Sequence, residues 1–135
     1  MEKSIILANE ISEISKLNDF IEDIGQEYTI APDVLFNLNL VLEEADANVN
    51  NYAYPKEDHE FIYLSASMHE GSIMLVLTDT CKAFDPTAAP EADITLSAEE
   101  RQIGGLGIFL IRQIMNEVRY ERIDGKNILT LEKKL

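Results

Sequence analysis

The segment LEEADANVNNYAY, residues 42–54, places a carboxylate and a carboxamide four positions apart within an apolar helical repeat. Residues four apart lie on the same face of an α-helix, so the side chains of Glu44 and Asn48 are predicted to be neighbours. A carboxylate there can accept a proton, and an amide oxygen can ligate Mg²⁺ beside a phosphate chain. Because the same spacing is also typical of a solvated helix face, the rest of the chain has to decide between these interpretations.

Length and composition restrict the class of protein. The 135 residues fit a single domain, residues 1–135, and a net charge of −14 argues against nucleic acids and anionic membranes as partners. One cysteine excludes an intrachain disulfide. The first ten residues lack the apolar core of a signal peptide, and no apolar run is long enough to span a membrane. We therefore expect a cytoplasmic protein.

The first half of the chain predicts a strand followed by two helices. The strand is Lys3–Ala8, and Asn9 is suited to cap a first helix that ends near Gly25. Pro32 fits the first turn of a second helix, which Pro55 stops. The apolar residues recur at helical spacing: Ile11, Ile14, Leu17, Ile21 and Ile24 in the first helix, then Leu35, Leu38, Val41, Leu42, Ala45 and Val49 in the second.

The second half predicts two hairpins separated by a loop and a helix. Strands Phe61–Met68 and Ile73–Asp79 flank a Glu70-Gly71 turn. Residues 80–103 form a loop whose length is typical of lids and binding loops. A helix over Leu106–Val118 and strands Val118–Ile123 and Asn127–Glu132, joined at Asp124-Gly125, complete the chain. This order predicts an α+β fold, a two-layer α/β sandwich with three helices on one face of a mixed, mostly antiparallel sheet.

Four segments together resemble the Bergerat-fold, histidine-kinase-like ATPases. VLEEADANVNNYAY resembles their Asn-box helix, LTDTCKAFDP their first glycine box, and GGLGIFLIRQIMNEV with GKNILTLEKKL their second glycine box and closing hairpin. The resemblance is greatest to the short anti-sigma-factor serine/threonine kinases of the RsbW and SpoIIAB type, and it runs nearly end to end. It implies the Bergerat fold, ATP and Mg²⁺ as cofactors, and a protein kinase activity.

The resemblance assigns roles to individual residues. Glu44 corresponds to the general base that accepts the proton of an attacking hydroxyl, and Asn48 to the Mg²⁺ ligand. Asp79 corresponds to the acceptor of the adenine amino group, although an aspartate that ends a strand is also common in turns. Thr130 matches a threonine that supports this contact through water, and threonine is equally a common strand residue.

The second glycine box supplies further candidates for binding the nucleotide. Gly104, Gly105 and Gly107 correspond to the lid hinge and the amides that face the phosphates; a plain helix-entry loop is the alternative. Lys82 could contact phosphate or simply be exposed. Arg101 is a weaker phosphate candidate, because it precedes the glycines by one residue more than the family's arginine does.

One departure from the family pattern bears on activity. Cys81 and Ala83 stand where the family has the glycines of its first box. A β-carbon at a left-handed position costs about 1–2 kcal/mol, so nucleotide binding or loop geometry is predicted to differ here.

Three functions fit this pattern. The first is an ATP-dependent protein serine kinase that sequesters a sigma factor and phosphorylates an anti-anti-sigma partner of the STAS type. The family further implies a homodimer. The second is a nucleotide-binding or purely sequestering module without transfer, and Glu44 favours the first over it, because a module that only binds needs no base. The third is a detached ATPase domain that acts on another partner, such as a two-component regulator.

Overall fold

The computed structural model describes residues 2–8, 14–48, 61–80 and 105–135. The predicted order of strands and helices is confirmed in these ranges. The elements are β1 (Glu2–Ala8), α1 (Ile14–Glu27), α2 (Pro32–Asn48), β2 (Phe61–His69), β3 (Ser72–Asp79), α3 (Gly105–Ile114), β4 (Glu117–Ile123) and β5 (Lys126–Lys134). The predicted cap at Asn9 and the predicted loop over 81–103 lie outside the described residues. Of the three described helices, none combines the length and apolar composition needed to cross a membrane.

The five strands form one sheet in the order β1-β2-β3-β5-β4, and each of these four neighbouring pairs is antiparallel. The fold class is confirmed, but the expected mixed sheet is antiparallel in every described pairing. The reason is the position of β5. Strands β3 and β4, which are connected through α3, run in the same direction and would form a parallel pair if they were neighbours. Strand β5 lies between them and pairs antiparallel with both.

Both hairpins close through two-residue turns that have positive φ at each position. The angles are 47° and 81° at Glu70 and Gly71, and 50° and 76° at Asp124 and Gly125. Turns with two left-handed residues match the twist of the strands that they join, and a glycine at the second position adopts this conformation without strain. The registers His69–Ser72 and Ile123–Lys126 follow directly from these turns.

The three helices cover one face of the sheet, and the strands show this as a burial period of two. In β3 the buried positions alternate with half-buried ones along the whole strand. The core contains residues from all three helices and from three strands; its largest fully buried members are Leu17, Ile24, Leu38, Leu42, Ile62, Leu64, Ile73, Leu75, Ile111 and Leu131. We call this covered side the helix face and the opposite side the open face.

Helices α1 and α2 pack closely because of Gly25. A β-carbon at this position would lie 2.5 Å from Cδ2 of Leu35. Gly25 therefore serves packing, and α1 continues beyond it to Glu27. The helix ends in a Schellman arrangement: Thr29 has a φ of 53°, and the amide of Ile30 donates to the carbonyl of Gly25 over 3.0 Å.

Helix α3 ends at Ile114, four residues before the predicted end. The amide of Asn116 donates to the carbonyl of Glu132 over 2.8 Å, so pairing with β5 begins there. The ammonium group of Lys133 donates to the carbonyl of Ile114 over 3.0 Å. A cation at the helix C-terminus satisfies a carbonyl that lacks an intrahelical partner and complements the helix dipole.

Candidate functional site

Helix α2 carries the predicted base and the predicted Mg²⁺ ligand. Pro32 and Asp33 favour its first turn, because proline needs no amide partner there and an acid complements the helix N-terminus. Glu44 lies one turn before the end of α2 and is half-buried. Asn48 is the last residue of the helix, and its side chain is not among those that the structure describes. The neighbouring Asp46 is a buried carboxylate that sequence reasoning did not single out.

Asp79 ends the central strand β3 and is buried, with 4% of its surface exposed. It continues the helix-face positions Ile73, Leu75 and Leu77, so the strand period places a carboxylate in the layer between sheet and helices. Its neighbours across the sheet are Ile62 on β2 and Asn127 on β5. A carboxylate in such surroundings requires hydrogen bonds, because desolvation of a charged group is costly.

Asn127 provides one of these hydrogen bonds. Its Nδ2 donates to Oδ1 of Asp79 over 2.9 Å, and only 4% of Asn127 is exposed. Its Oδ1 accepts from the hydroxyl of Tyr120 and, over 3.0 Å, from Nη1 of Arg122. These contacts orient the amide of Asn127. Its oxygen accepts hydrogen bonds from Tyr120 and Arg122, so its NH₂ group faces the carboxylate of Asp79. The four residues form a network, the Asp79 network, that runs from the edge strand β4 to β3.

Thr130 does not belong to this network, which corrects the sequence-based assignment. Thr130 is paired with Val76, three residues before Asp79 along β3. Alternate residues of a strand point to opposite faces, so Thr130 lies on the open face and Asp79 on the helix face. The residue directly across from Asp79 is Asn127.

A signal for Asn127 was present in the sequence. Asn127 lies two residues before Leu129 and four before Leu131, both of which are buried, so it belongs to the same face of β5. A polar residue on the apolar side of a strand needs a hydrogen-bond partner, and such a residue at the start of β5 indicates a buried polar contact. The assignment of Thr130 rests on residue type and is inconsistent with this alternation.

The glycines of the second box lie at the start of α3. Gly105 is its first residue and Gly107 its third. The first amides of an α-helix have no intrahelical partner, and they point outward along the helix axis. Such amides suit phosphate oxygens, and residues without a β-carbon allow close approach. Helix α3 packs against α2, the helix of Glu44. Gly104, Lys82 and Arg101 lie outside the described residues.

A magnesium ion that arrives with a nucleotide would need few ligands from this chain. In the described part of the chain, no three His, Cys, Asp or Glu side chains cluster in a way that would hold a metal by themselves. Mg²⁺ is commonly bound through one or two protein oxygens, with phosphate oxygens and waters completing its octahedron. One amide oxygen at Asn48 would suffice for such a site.

The profile of the histidine kinase-like ATPase domain matches residues 7–133. The chain belongs to this family. Among curated relatives, the serine/threonine-protein kinase BtrW of Bordetella bronchiseptica is 33% identical over 96 residues, which cover 71% of this chain and 68% of BtrW. The serine-protein kinase RsbW of Listeria monocytogenes is 26% identical over 97 residues, or 69% of this chain and 62% of that kinase. The predicted resemblance to RsbW-type kinases is confirmed.

Solved structures show the same fold at low sequence identity. The RsbU and RsbW domains of Rv1364c from Mycobacterium tuberculosis match with a TM-score of 0.71 and 13% identity, covering 100% of this chain and 32% of that one. The histidine kinase domain of the blue-light activated kinase from Erythrobacter litoralis matches with a TM-score of 0.55 and 13% identity, over 90% of this chain and 60% of that one. At this identity the likeness shows the fold alone.

Proposed function

We propose that this protein is an ATP-dependent serine/threonine protein kinase and an anti-sigma factor. It would sequester a sigma factor and phosphorylate an anti-anti-sigma protein of the STAS type. The names of the BtrW and RsbW relatives support the kinase activity, and family membership supports the use of ATP. Binding of Mg²⁺, a homodimeric state and a cytoplasmic location, without direct contact to nucleic acid or membrane, belong to the same proposal.

The Asp79 network is the observation that carries this proposal. In a member of an ATPase family, a buried carboxylate at the end of the central strand suits the adenine ring, whose exocyclic amino group donates a hydrogen bond. Guanine presents a carbonyl oxygen at the same position, which a carboxylate repels. Nδ2 of Asn127 lies 2.9 Å from Oδ1 of Asp79, so this hydrogen bond orients the carboxylate before adenine binds.

Glu44 would act on the incoming hydroxyl group of the protein substrate. The serine or threonine oxygen attacks the γ-phosphorus, the bond from that phosphorus to the bridging oxygen of ADP breaks, and the hydroxyl proton passes to Glu44. The amides at the start of α3, including those of Gly105 and Gly107, would hold phosphate oxygens. Mg²⁺ bound through Asn48 would neutralise charge on the phosphate chain.

The experiment that tests the proposal separates binding from transfer. Calorimetric titration with Mg²⁺-ATP should show binding, and GTP should bind about tenfold or more weakly, because an unpaired buried polar group costs about 1–3 kcal/mol. A transfer assay with STAS-type proteins from the same organism should then give phosphoserine or phosphothreonine. Absence of ATP binding, or equal affinity for ATP and GTP, would overturn the nucleotide assignment.

The role of Asn48 can be tested in the same titration. If its amide ligates Mg²⁺, Asn48→Ala should weaken ATP binding strongly in magnesium and little in EDTA. Equal losses in both buffers would show that Asn48 has a structural role.

A binding module without kinase activity is the second candidate, and Cys81 and Ala83 favour it. These residues replace the glycines of the first box. If they prevent the loop from closing over the phosphates, the protein would bind ATP and the sigma factor without transfer. The paired substitution Cys81→Gly with Ala83→Gly should then restore transfer, whereas a protein that already transfers phosphate would exclude this candidate.

A further inference from the structure

A groove between α1 and α2 lies outside the residues assigned to nucleotide binding. Its volume is about 250 Å³. Helix α1 contributes Asn18, Ile21 and Glu22 to its walls, and α2 contributes Leu35, Phe36 and Asn39. The proposed kinase reaction uses none of these side chains.

One apolar residue of the groove, Phe36, is largely exposed to solvent. Phe36 is 68% exposed, although it lies on a helix whose Leu38, Val41 and Leu42 are completely buried. Removing a phenylalanine ring from water is favourable, because it takes a large apolar surface out of contact with the solvent. A partner that covers Phe36 and the adjacent Leu35 would obtain part of this free energy.

The two asparagines in the groove walls do not present their amide oxygens at its surface. Within the described residues, Oδ1 of Asn18 and Oδ1 of Asn39 are shielded from water and have no hydrogen-bond partner. The amide nitrogen of Asn39 is oriented by its contact with Oε1 of Glu43, 3.3 Å away. The surface that a partner can reach in this groove is therefore the apolar one at Phe36 and Leu35, with the carboxylate of Glu22 beside it.

The charge around the groove defines the partner further. Apart from the buried Asp46, helices α1 and α2 together carry seven carboxylates and one cation, Lys16. Glu22 lies in the groove wall itself, and Glu43 is held next to it through Asn39. Such a surface attracts basic segments and repels acidic ones.

We propose that this groove docks a basic amphipathic helix of a partner protein. Apolar side chains of that helix would cover Phe36 and Leu35. Its lysine or arginine side chains would reach Glu22 and Glu43. Docking of an amphipathic helix in a groove between two helices is a recurrent mode of peptide recognition. This interaction surface goes beyond the proposed kinase reaction and does not depend on it.

The test is a titration of the full chain, labelled at its methyl groups, with three synthetic helical peptides. The first combines a leucine face with lysines, the second has serine in place of leucine, and the third has glutamate in place of lysine. We expect the leucine–lysine peptide to shift the methyl resonances of Ile21 and Leu35 and to bind at least tenfold more tightly than either control. Added salt should weaken it, because exposed charges are screened.

Matched variants locate the site. Phe36→Ser should reduce the affinity for the leucine–lysine peptide about tenfold, because the apolar contact is lost. Tyr63→Ser removes another exposed aromatic ring, 49% exposed on β2, and should leave this affinity unchanged. Equal affinities for the original protein and Phe36→Ser, or shifts confined to the open face, would overturn the proposal. ATP titration of the same samples shows separately whether the nucleotide site is intact.

Discussion

The two faces of the sheet use the same strands for different purposes. On the helix face, β3 and β5 place Asp79 opposite Asn127 in a buried hydrogen bond. On the open face, the next pair along the same strands is Ile128 and Thr78, and both residues are half-buried. A shift of one residue along a strand therefore separates a candidate recognition site from a half-exposed surface. Position relative to the alternation matters more here than residue type.

The largest effect is expected from a comparison of two glutamates, one in the helix layer and one exposed on the sheet. Glu44 belongs to the helix layer, whereas Glu117 on β4 is an exposed partner of Arg119, 3.7 Å away. Glu44→Gln should retain Mg²⁺-ATP binding and lose phosphoryl transfer by about 10²-fold or more, the usual effect of removing a general base. Glu117→Gln should transfer at the original rate. Normal transfer by Glu44→Gln in a phosphate-transfer assay would contradict the role of Glu44 as the base.

The next test compares Asn127 with Thr130, two polar residues of one strand. Asn127→Leu leaves Asp79 without its amide donor and should lower the free energy of unfolding by about 1–3 kcal/mol. It should also reduce the preference for ATP over GTP. Thr130→Val, which keeps the shape of the side chain on the open face, should change stability by no more than about 0.5 kcal/mol.

Urea unfolding and nucleotide titration of both variants provide the measurements. If Thr130→Val changed the nucleotide preference and Asn127→Leu did not, the assignment of the two faces would be wrong. The same protein preparations serve as each other's controls, because both substitutions are in β5 and neither changes the charge.

A smaller effect is expected at the end of α1, away from both faces. Thr29 adopts a φ of 53° at a position where glycine is the usual residue. Thr29→Gly should raise the free energy of unfolding by about 1 kcal/mol, since relief of the left-handed conformation outweighs the added flexibility of the unfolded chain. Thr29→Ala keeps a β-carbon and serves as the control. A decrease in melting temperature for Thr29→Gly would contradict this account.

The smallest effect concerns pH. The hydroxyl of Tyr28 donates to the carbonyl of Ala66 over 3.4 Å and so connects the end of α1 with β2. Burial raises the pKa of Tyr28 above its usual value near 10, and the carboxylates of Glu27 and Glu2 raise it further. The stability from this neutral phenol is fully present below pH 10 and is lost as the pH rises through the folded-state pKa.

Tyr28→Phe should therefore lose less stability than the original protein above pH 10. Denaturant unfolding of both proteins between pH 8 and pH 11.5 measures the difference, and the contributions of the other tyrosines cancel. Parallel curves over this range would show that the Tyr28 hydroxyl does not couple folding to pH.

The sequence was sufficient for much of the fold because its local signals agree. The Glu70-Gly71 and Asp124-Gly125 turns fix the registers of two hairpins, and Pro32 marks the start of α2. The predicted end of α3 was wrong by four residues. The helix ends where Lys133 and Glu132 of strand β5, far along the chain, bind its last residues and those that follow. Residue pattern cannot reveal a competing partner that lies about twenty positions further along the chain.

By itself, the sequence determined the class of fold, the family, the position of Asp79 at a strand end and the four-residue spacing of Glu44 and Asn48 on one helix. The fold class and the positions of these residues follow from local conformational preferences and from hydrophobic periodicity, whereas the family follows from the resemblance of the quoted segments. Only the tertiary structure decided that β5 lies between β3 and β4, and that Asn127, not Thr130, therefore contacts Asp79. The physical reason is that strand order and register arise from hydrogen bonds between distant segments, whereas the pattern within a strand shows which residues share a face and not which strand lies beside it.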